Sequence, residues 1–152
     1  EECKKMVQDT IKNKTAVKYL KKMVELQGGD SSVIEDTNNF EKSSIMYELI
    51  SEQEGYISKM DTEKIGICSV HLGAGRLKKE DSIDYTAGII LGKKYAEYVK
   101  KGDVLATFFT NDESVIEKAK QEYLGAITFS NEKPKQEKLI YALVTKDDVI
   151  KF

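Results

Sequence analysis

Residues 55–110 read GYISKMDTEKIGICSVHLGAGRLKKEDSIDYTAGIILGKKYAEYVKKGDVLATFFT, and this stretch decides the fold. Its last part places β-forming residues on both sides of Lys101-Gly102-Asp103, and glycine takes the positive φ of tight turns without strain. This pattern predicts two strands joined by a hairpin at Gly102. A strand introduced by Gly55 and an inserted helix precede the hairpin. Together these features predict a small β-sandwich with one helix inserted between its strands.

The sequence before this stretch predicts a separate helical part. Apolar positions at helical spacing indicate helices over residues 2–12 and 15–27. The polar, breaker-rich residues 36–44 predict a linker. We therefore expect two parts, residues 1–44 and residues 45–152.

Capping residues set the helix boundaries. Gly28 is expected to end the second helix as a left-handed cap. Asp61 or Thr62 is expected to begin a helix that runs through Leu72, and Asn111 or Asp112 a helix that ends near residue 124.

After the linker the predicted strands come in groups separated by the two helices. The tail from Lys146 onward is expected to be mobile. Strands are predicted over residues 45–51, 56–60, 87–91, 95–100, 104–110, 126–129 and 139–144. This order predicts an α+β fold with a mostly antiparallel sheet.

Composition narrows the class of protein. Of the 152 residues, 40% are hydrophobic and 33% are charged, and a net charge of −2 gives no electrostatic argument for nucleic-acid binding. No apolar run approaches the roughly 20 residues of a membrane-spanning helix. Two cysteines, Cys3 and Cys68, make no disulfide framework, which favours a reducing, cytoplasmic location. The start at Glu1, inside a helical pattern and without an initiating Met, predicts that the chain is a truncated piece.

The first candidate site is the glycine-rich turn Gly73-Ala74-Gly75 with the following Arg76. Free backbone N–H groups and a guanidinium suit a phosphate. Anion-binding turns, however, precede a helix and use its positive end, whereas this turn follows a predicted helix. The context favours a structural cap and a close crossing of two backbone segments.

Asp81 and Asp84 are a second candidate, as a pair of catalytic carboxylates. Acid–base catalysis needs two such groups in different environments, which the sequence does not show. We expect Asp84 to accept hydrogen bonds in a turn. His71 is the single histidine, so a histidine metal cluster or a Ser-His-Asp triad lacks its parts. We expect His71 in the last turn of its helix, where the helix dipole favours a positive charge.

Cys68 and Lys59 are the remaining reactive side chains of interest. A nucleophilic cysteine needs exposure and a base, whereas Cys68 is expected to face the core, and Cys3 to be exposed on a helix. Biotin and lipoyl carrier domains present a lysine at a hairpin tip. In biotin carriers methionines flank that lysine, whereas here Ser58 precedes Lys59 and only Met60 follows it.

The string GYISKMDTEKIGICSVHLGAGRLKKEDSIDYTAGI, followed by VKKGDVLATFFTND, resembles the C-terminal domain of pyrimidine-nucleoside and thymidine phosphorylases. With the upstream helices, the resemblance covers nearly the whole chain. It implies an α/β-hammerhead domain, related to barrel-sandwich hybrids, over residues 45–152. Residues 1–44 would be the terminal helices of the parent α/β domain plus a linker. The reaction it implies converts a pyrimidine nucleoside and phosphate to a free base and a pentose 1-phosphate.

The resemblance carries over structural residues only. The phosphate- and base-binding motifs of these enzymes lie upstream of the matched region, so we assign no catalytic, substrate-binding or metal-binding residue and no cofactor to this chain. The expected partner is the N-terminal remainder of the parent enzyme, a homodimer that supplies the sites for nucleoside and phosphate; neither nucleic acid nor a membrane is expected. The structural residues are Gly55, Gly73, Gly75, Arg76, Asp84, Gly88, Gly102 and Asp103.

The fragment itself is expected to be inactive alone. Two other functions stay open: a biotinyl or lipoyl carrier modified on Lys59, and a stand-alone scaffold module. The sequence also leaves open whether the parent enzyme uses thymidine alone or other pyrimidine nucleosides as well.

Overall fold

A computed structural model describes residues 1–135 and 138–152. Within it the chain forms two compact units, residues 1–42 and residues 43–152. The first unit is helical: α1 (Glu2–Lys12) and α2 (Thr15–Leu26) are followed by the single turn α3 (Ser32–Glu35) and a 3-10 turn at Thr37–Asn39. None of the residues in α1, α2 or α3 is buried. The large apolar side chains exposed on the first two helices are Met6, Val7, Ile11, Val17, Tyr19, Leu20, Met23 and Leu26.

The end of α2 has the geometry of a Schellman cap. Gly28 has a φ of +78°, in the left-handed region. Its N–H donates to the carbonyl oxygen of Glu25 at 3.0 Å, and the N–H of Gly29 donates to that of Val24 at 2.9 Å. The prediction that Gly28 ends this helix as a left-handed cap is confirmed.

The second unit mixes strands and helices. Its helices are α4 (Thr62–Ser69), which continues into a π-helical turn at Val70–Ala74, and α5 (Ile116–Ala126), which follows a 3-10 turn at Glu113–Val115. Its strands are β1 (Ile45–Ile50), β2 (Gly55–Met60), β3 (Gly88–Leu91), β4 (Tyr98–Val99), β5 (Val104–Thr110), β6 (Ile127–Ser130), β7 (Ala142–Val144) and β8 (Val149–Lys151).

Three small antiparallel sheets organise these strands in the described part of the chain. The first has the order β1-β5-β3, the second β4-β2-β6, and the third is the pair β7-β8. Each strand from β2 to β6 therefore lies in the opposite sheet from the strand before it. The predicted α+β class is confirmed, with the antiparallel strands divided among three sheets.

The predicted hairpin at Gly102 is wrong. β4 pairs with β2, whereas β5 pairs with β1 and β3, so the strands on the two sides of the turn belong to different sheets. Gly102 has a φ of +94° and donates its N–H to the carbonyl oxygen of Ser51 at 2.8 Å, while the Ser51 N–H donates to that of Asp103 at 2.9 Å. The turn is tight, as its residues predict, but it contacts the loop after β1 and carries the chain from one sheet to the other.

The C-terminal tail is also more regular than the sequence indicates. Instead of a mobile segment from Lys146 onward, β8 pairs with β7. A turn joins the two strands, in which the N–H of Thr145 donates to the carbonyl oxygen of Asp148 at 2.9 Å. The predicted strand over residues 139–144 is shortened to β7.

The core of the second unit lies between the first two sheets and the helices α4 and α5. Phe108 on β5 meets Tyr123 on α5 edge to face, with ring centroids 5.7 Å apart. Asp61 and Asp112 begin the helical segments as predicted, since their carboxylates accept the N–H groups of Lys64 and Ser114. The buried apolar residues are Leu49, Ile57, Ile65, Cys68, Leu72, Val99, Leu105, Ala106, Phe108, Ala119, Tyr123, Ala126 and Ile127.

Candidate functional site

The candidate residues meet around the π-helical turn that follows α4. Gly73 has a φ of +115° inside this turn. Its carbonyl oxygen accepts the N–H of Asp84 at 2.9 Å, and the buried Thr110 hydroxyl donates to the carbonyl oxygen of Leu72 at 2.8 Å. A Cβ added at Gly73 would lie 3.3 Å from the Cβ of Ala87. The turn is therefore a close crossing of two backbone segments, tied to the end of β5.

Asp84 uses both of its carboxylate oxygens to hold this crossing together. Oδ1 accepts the N–H of Thr86 at 2.9 Å and its hydroxyl at 2.6 Å. Oδ2 accepts Nδ2 of Asn111 at 2.8 Å. The Thr86 side chain, then its backbone N–H and then Asn111 lower the pKa of Asp84 below its ordinary value. Asp84 is an ionised acceptor in a turn.

Asn111 extends the same network. Its Nδ2 also lies 3.0 Å from the Thr86 hydroxyl, and its Oδ1 accepts the N–H of Ser44 at 2.7 Å. The segment before β1, the end of β5 and the loop before β3 thus share one amide side chain. From the sequence Asn111 was expected only as a possible helix cap, and no local pattern indicated these contacts.

Asp81 serves a different turn. Its Oδ2 accepts the N–H groups of Leu77 and Lys78 at 3.1 and 2.9 Å. The structure therefore places Asp81 and Asp84 as acceptors in two neighbouring turns rather than as an acid–base pair facing a common substrate.

His71 lies in the π-helical turn, largely shielded from solvent, and contacts α5. Its Nδ1 is 2.7 Å from Oε2 of Glu122, and its Nε2 is 3.4 Å from Nζ of Lys118. The two ring nitrogens of His71 thus contact a carboxylate and an ammonium group of α5. The sequence placed His71 near the end of its helix but did not indicate either partner, because both lie on an element about fifty residues further along the chain.

A cleft of about 310 Å³ lies beside this turn, and its lining includes His71, Gly73, Gly75, Asp81 and Lys118. It brings the glycine-rich turn together with a lysine and a histidine. Its lining also includes a carboxylate, and that carboxylate already accepts two backbone hydrogen bonds. Arg76, which a phosphate site would use, is exposed. A carboxylate on the lining repels an anion, so the observed contacts favour a structural role for this turn.

Cys68 is fully buried, as the helical pattern predicted, and Cys3 is exposed. The Cys68 thiol lies 3.3 Å from the carbonyl oxygen of Ala119 on α5. Burial, with a smaller contribution from Glu122, raises the pKa of Cys68 to about 11. A thiol in this state is a weak nucleophile and a packing residue.

Lys59 lies inside β2, next to a bulge in the pairing with β6. Its side chain is exposed, and the neighbouring Ser58 hydroxyl donates to the carbonyl oxygen of Thr128 at 3.1 Å. A carrier lysine is presented at a hairpin tip, so the position of Lys59 disagrees with the carrier interpretation.

The remaining carried-over residues lie at bends and crossings. A Cβ at Gly55 would come 2.8 Å from the carbonyl oxygen of Ser130, and one at Gly75 would come 2.7 Å from Cγ2 of Val70. Gly88 is the first residue of β3. Asp103 accepts Nζ of Lys93 at 2.8 Å and the N–H of Lys100 at 3.0 Å, and these bonds lower the pKa of its carboxyl.

Neither a metal nor a membrane is indicated by the described residues. Within residues 1–135 and 138–152, no group of three or more His, Cys, Asp or Glu side chains is arranged to hold a metal ion. Over the same ranges no helix combines the length and apolar character needed to cross a bilayer.

The fold is an α+β domain. The side chains considered as candidates for chemistry make hydrogen bonds that stabilise the turns and crossings of this domain itself. Residues 56–130 match the family model for the pyrimidine nucleoside phosphorylase C-terminal domain. Residues 56–130 therefore belong to this domain family, and the chain matches the C-terminal portion of such enzymes.

Curated relatives give the same result over most of the chain. A thymidine phosphorylase of Metamycoplasma hominis is 39% identical over 132 residues, which cover 87% of this chain and 48% of the relative. A pyrimidine-nucleoside phosphorylase of Geobacillus stearothermophilus is 34% identical over 141 residues, covering 93% of this chain and 32% of the relative. One of Bacillus subtilis (strain 168) is 34% identical over 146 residues, covering 96% and 33%. The chain thus spans between about a third and a half of the length of these relatives.

Proposed function

We propose that this chain is the structural C-terminal portion of a longer pyrimidine-nucleoside phosphorylase. The whole enzyme would convert a pyrimidine nucleoside and phosphate to a free base and a pentose 1-phosphate. The names of the relatives support this reaction class, and the limited share of their length that the chain spans supports a larger parent. In this proposal the parent is a cytoplasmic homodimer that uses phosphate as co-substrate and no cofactor.

One observation carries the structural role: the side chains that suggested chemistry are engaged in holding the fold. Asp84 joins the crossing at Gly73 to Asn111, and His71 joins the π-helical turn to α5. Cys68 is buried with a thiol pKa of about 11. A group that is saturated with structural hydrogen bonds, or held protonated in the core, is poorly placed to react with a substrate.

The proposal gives this domain a mechanical task. We assign residues 45–152 to the α/β-hammerhead type, and we assign residues 1–44 to the last helices of the parent α/β domain plus a linker. The exposed apolar side chains of α1 and α2 support that assignment, because helices of this kind bury one face in a larger domain. A rigid domain fixed to the α/β domain would form a wall against which another domain closes. Closure would exclude water from the reacting bond.

The test compares the 152-residue chain with the full-length polypeptide of the same gene. Each is incubated with uridine or thymidine and inorganic phosphate, and release of free base is measured by chromatography, with phosphate omitted as the control. We expect phosphate-dependent turnover from the full-length protein and none above the control from the short chain. Turnover by the short chain would overturn its structural role, and an inactive full-length protein would overturn the reaction assigned to the parent.

Intact-mass measurement addresses the carrier alternative. We expect the mass of the unmodified chain. A biotinyl or lipoyl group found on Lys59 would replace the proposal with a carrier function, despite the position of this residue inside β2.

A further inference from the structure

The C-terminal strands β7 and β8 form a ribbon with apolar side chains on both faces. Within the described part of the chain they pair only with each other. Leu143 faces Ile150, and Val144 faces Val149. Their exposed fractions are 50% for Leu143, 47% for Ile150, 71% for Val144 and 52% for Val149, so none of these four side chains is buried. A two-stranded ribbon alone is at best marginally stable in water.

The two faces of the ribbon differ in character. Directly opposed residues of an antiparallel pair lie on the same face, and side chains alternate along each strand. The N–H of Phe152 donates to the carbonyl oxygen of Tyr141 at 2.9 Å, which continues the ladder and puts Phe152 on the same face as Leu143 and Ile150. The opposite face carries the two valines and also Lys151, which pairs with Ala142. We call Leu143, Ile150 and Phe152 the ribbon face.

We propose that the ribbon face docks on the polypeptide that precedes residue 1 in the full-length enzyme, within the same subunit. This inference rests on the proposed function, which gives the chain such a remainder. It extends that function by naming the surface through which the C-terminal end is fixed to the rest of the enzyme.

One observation favours this occupant, and a second favours the face that it covers. The chain spans only 48% and 32% of the first two relatives, so more than half of a comparable enzyme would be available as a partner. A partner on the same polypeptide is present at a high effective concentration, so a small surface suffices to hold it. Lys151 on the opposite face favours solvent there, which leaves the ribbon face as the side to be covered.

Hydrogen–deuterium exchange tests whether the ribbon is covered. Peptides spanning residues 138–152 are followed by mass spectrometry in the 152-residue chain and in the full-length protein. We expect these amides to exchange at least about tenfold more slowly in the full-length protein, because a docked ribbon opens only with its partner. Equal exchange in the two proteins would overturn the docking.

Matched variants of the full-length protein test which face is used. Leu143→Thr combined with Ile150→Thr removes apolar groups from the ribbon face, and Val144→Thr combined with Val149→Thr does the same on the other face. Threonine keeps the strand propensity in both pairs. We expect the first pair to abolish the slow exchange and the second to change it by less than about threefold. A larger effect of the valine pair would show that the opposite face makes the contact, and would overturn the assignment to the ribbon face.

Cross-linking identifies the occupant. A photoreactive benzoylphenylalanine is placed at position 152 of the full-length protein, and the cross-linked peptide is sequenced. A link to a segment upstream of residue 1 within a monomer-mass species supports the proposal, and a link between two copies overturns it. Phosphorolysis measured on the same preparation separates the two proposals. An active enzyme with an uncovered ribbon refutes the docking alone, and an inactive protein with a covered ribbon refutes the reaction alone.

Discussion

The strongest single test of the polar network is the substitution Asp84→Asn. Asp84 uses Oδ1 for Thr86 and Oδ2 for Asn111, so both oxygens accept hydrogen bonds. Asparagine has only one acceptor oxygen, and its amide nitrogen would meet the donor nitrogen of Asn111. Loss of a hydrogen bond to a charged group costs about 1.5–3 kcal/mol. Because Asp84 is only half-buried, we expect the free energy of unfolding to fall by about 2 kcal/mol, near the lower part of that range.

Asp81→Asn is the matched control. The N–H groups of Leu77 and Lys78 both donate to a single atom of Asp81, Oδ2. The one oxygen of asparagine can take over that arrangement, so we expect the unfolding free energy to change by less than about 0.5 kcal/mol.

The measurement is urea unfolding of the 152-residue chain, followed by circular dichroism. For a urea dependence of about 2 kcal/mol per molar, the expected loss lowers the midpoint by about 1 M for Asp84→Asn. In the background Asn111→Ala the opposing donor is absent, so the same substitution should cost less. Equal midpoints for Asp84→Asn and Asp81→Asn, or full additivity with Asn111→Ala, would show that Asp84 does not need both carboxylate oxygens as acceptors.

The pH dependence gives the same network a second readout. The pKa of Asp84 is lowered in the folded chain from an ordinary value of 3.8, first by the Thr86 side chain. A lowered carboxyl pKa stabilises the fold above the unfolded-state pKa, and this contribution is lost as the pH falls through the folded-state pKa. The stability difference between the original chain and Asp84→Asn should therefore persist down to the ordinary value and close only below it. A difference that closes at higher pH would contradict the assignment.

Two further predictions concern the π-helical turn and the core. Gly73→Ala should lower the free energy of unfolding by more than about 1 kcal/mol, because Gly73 has a positive φ and a Cβ there would lie 3.3 Å from its neighbour. Gly66→Ala is the control in urea unfolding: apart from the adjacent residues and the local helix backbone, no atom lies within 4 Å of the new Cβ, so it should stabilise by about 0.5–1 kcal/mol. A thiol reagent should modify Cys3 at once in the native chain and Cys68 only after denaturant is added, since Cys68 is buried with a pKa of about 11. Rapid reaction of two thiols in the native chain would show that the core opens readily.

Local signals in the sequence identified local structure well. Gly28 was predicted as a C-terminal cap, and Asp61 and Asp112 were each predicted as one of two candidate N-caps. All three make the expected bonds, because a cap depends on residues within a few positions. The Gly102 turn was also predicted, but its strands were paired wrongly. Turn residues specify a bend, whereas the choice of sheet depends on which distant strands pair with the flanking residues, here β2 with β4, and β1 and β3 with β5.

The candidate site shows the same division. Asp84 could be predicted as a turn acceptor because Thr86 lies two residues away. Its contact with Asn111, 27 residues further on, depends on how β5 and the preceding loop meet, and no local pattern encodes that meeting. The contact of His71 with Glu122 spans 51 residues and was missed for the same reason.

The alternation of β1 to β6 between two sheets has a consequence for synthesis. Neither sheet is present in any short run of the chain: the first needs both residue 45 and residue 110, and the second both residue 55 and residue 130. When only the first half of these strands has left the ribosome, the nascent chain therefore exposes strand edges whose pairing partners have not yet been synthesised. Early pairing would join the wrong neighbours, so assembly has to wait until nearly the entire domain has emerged.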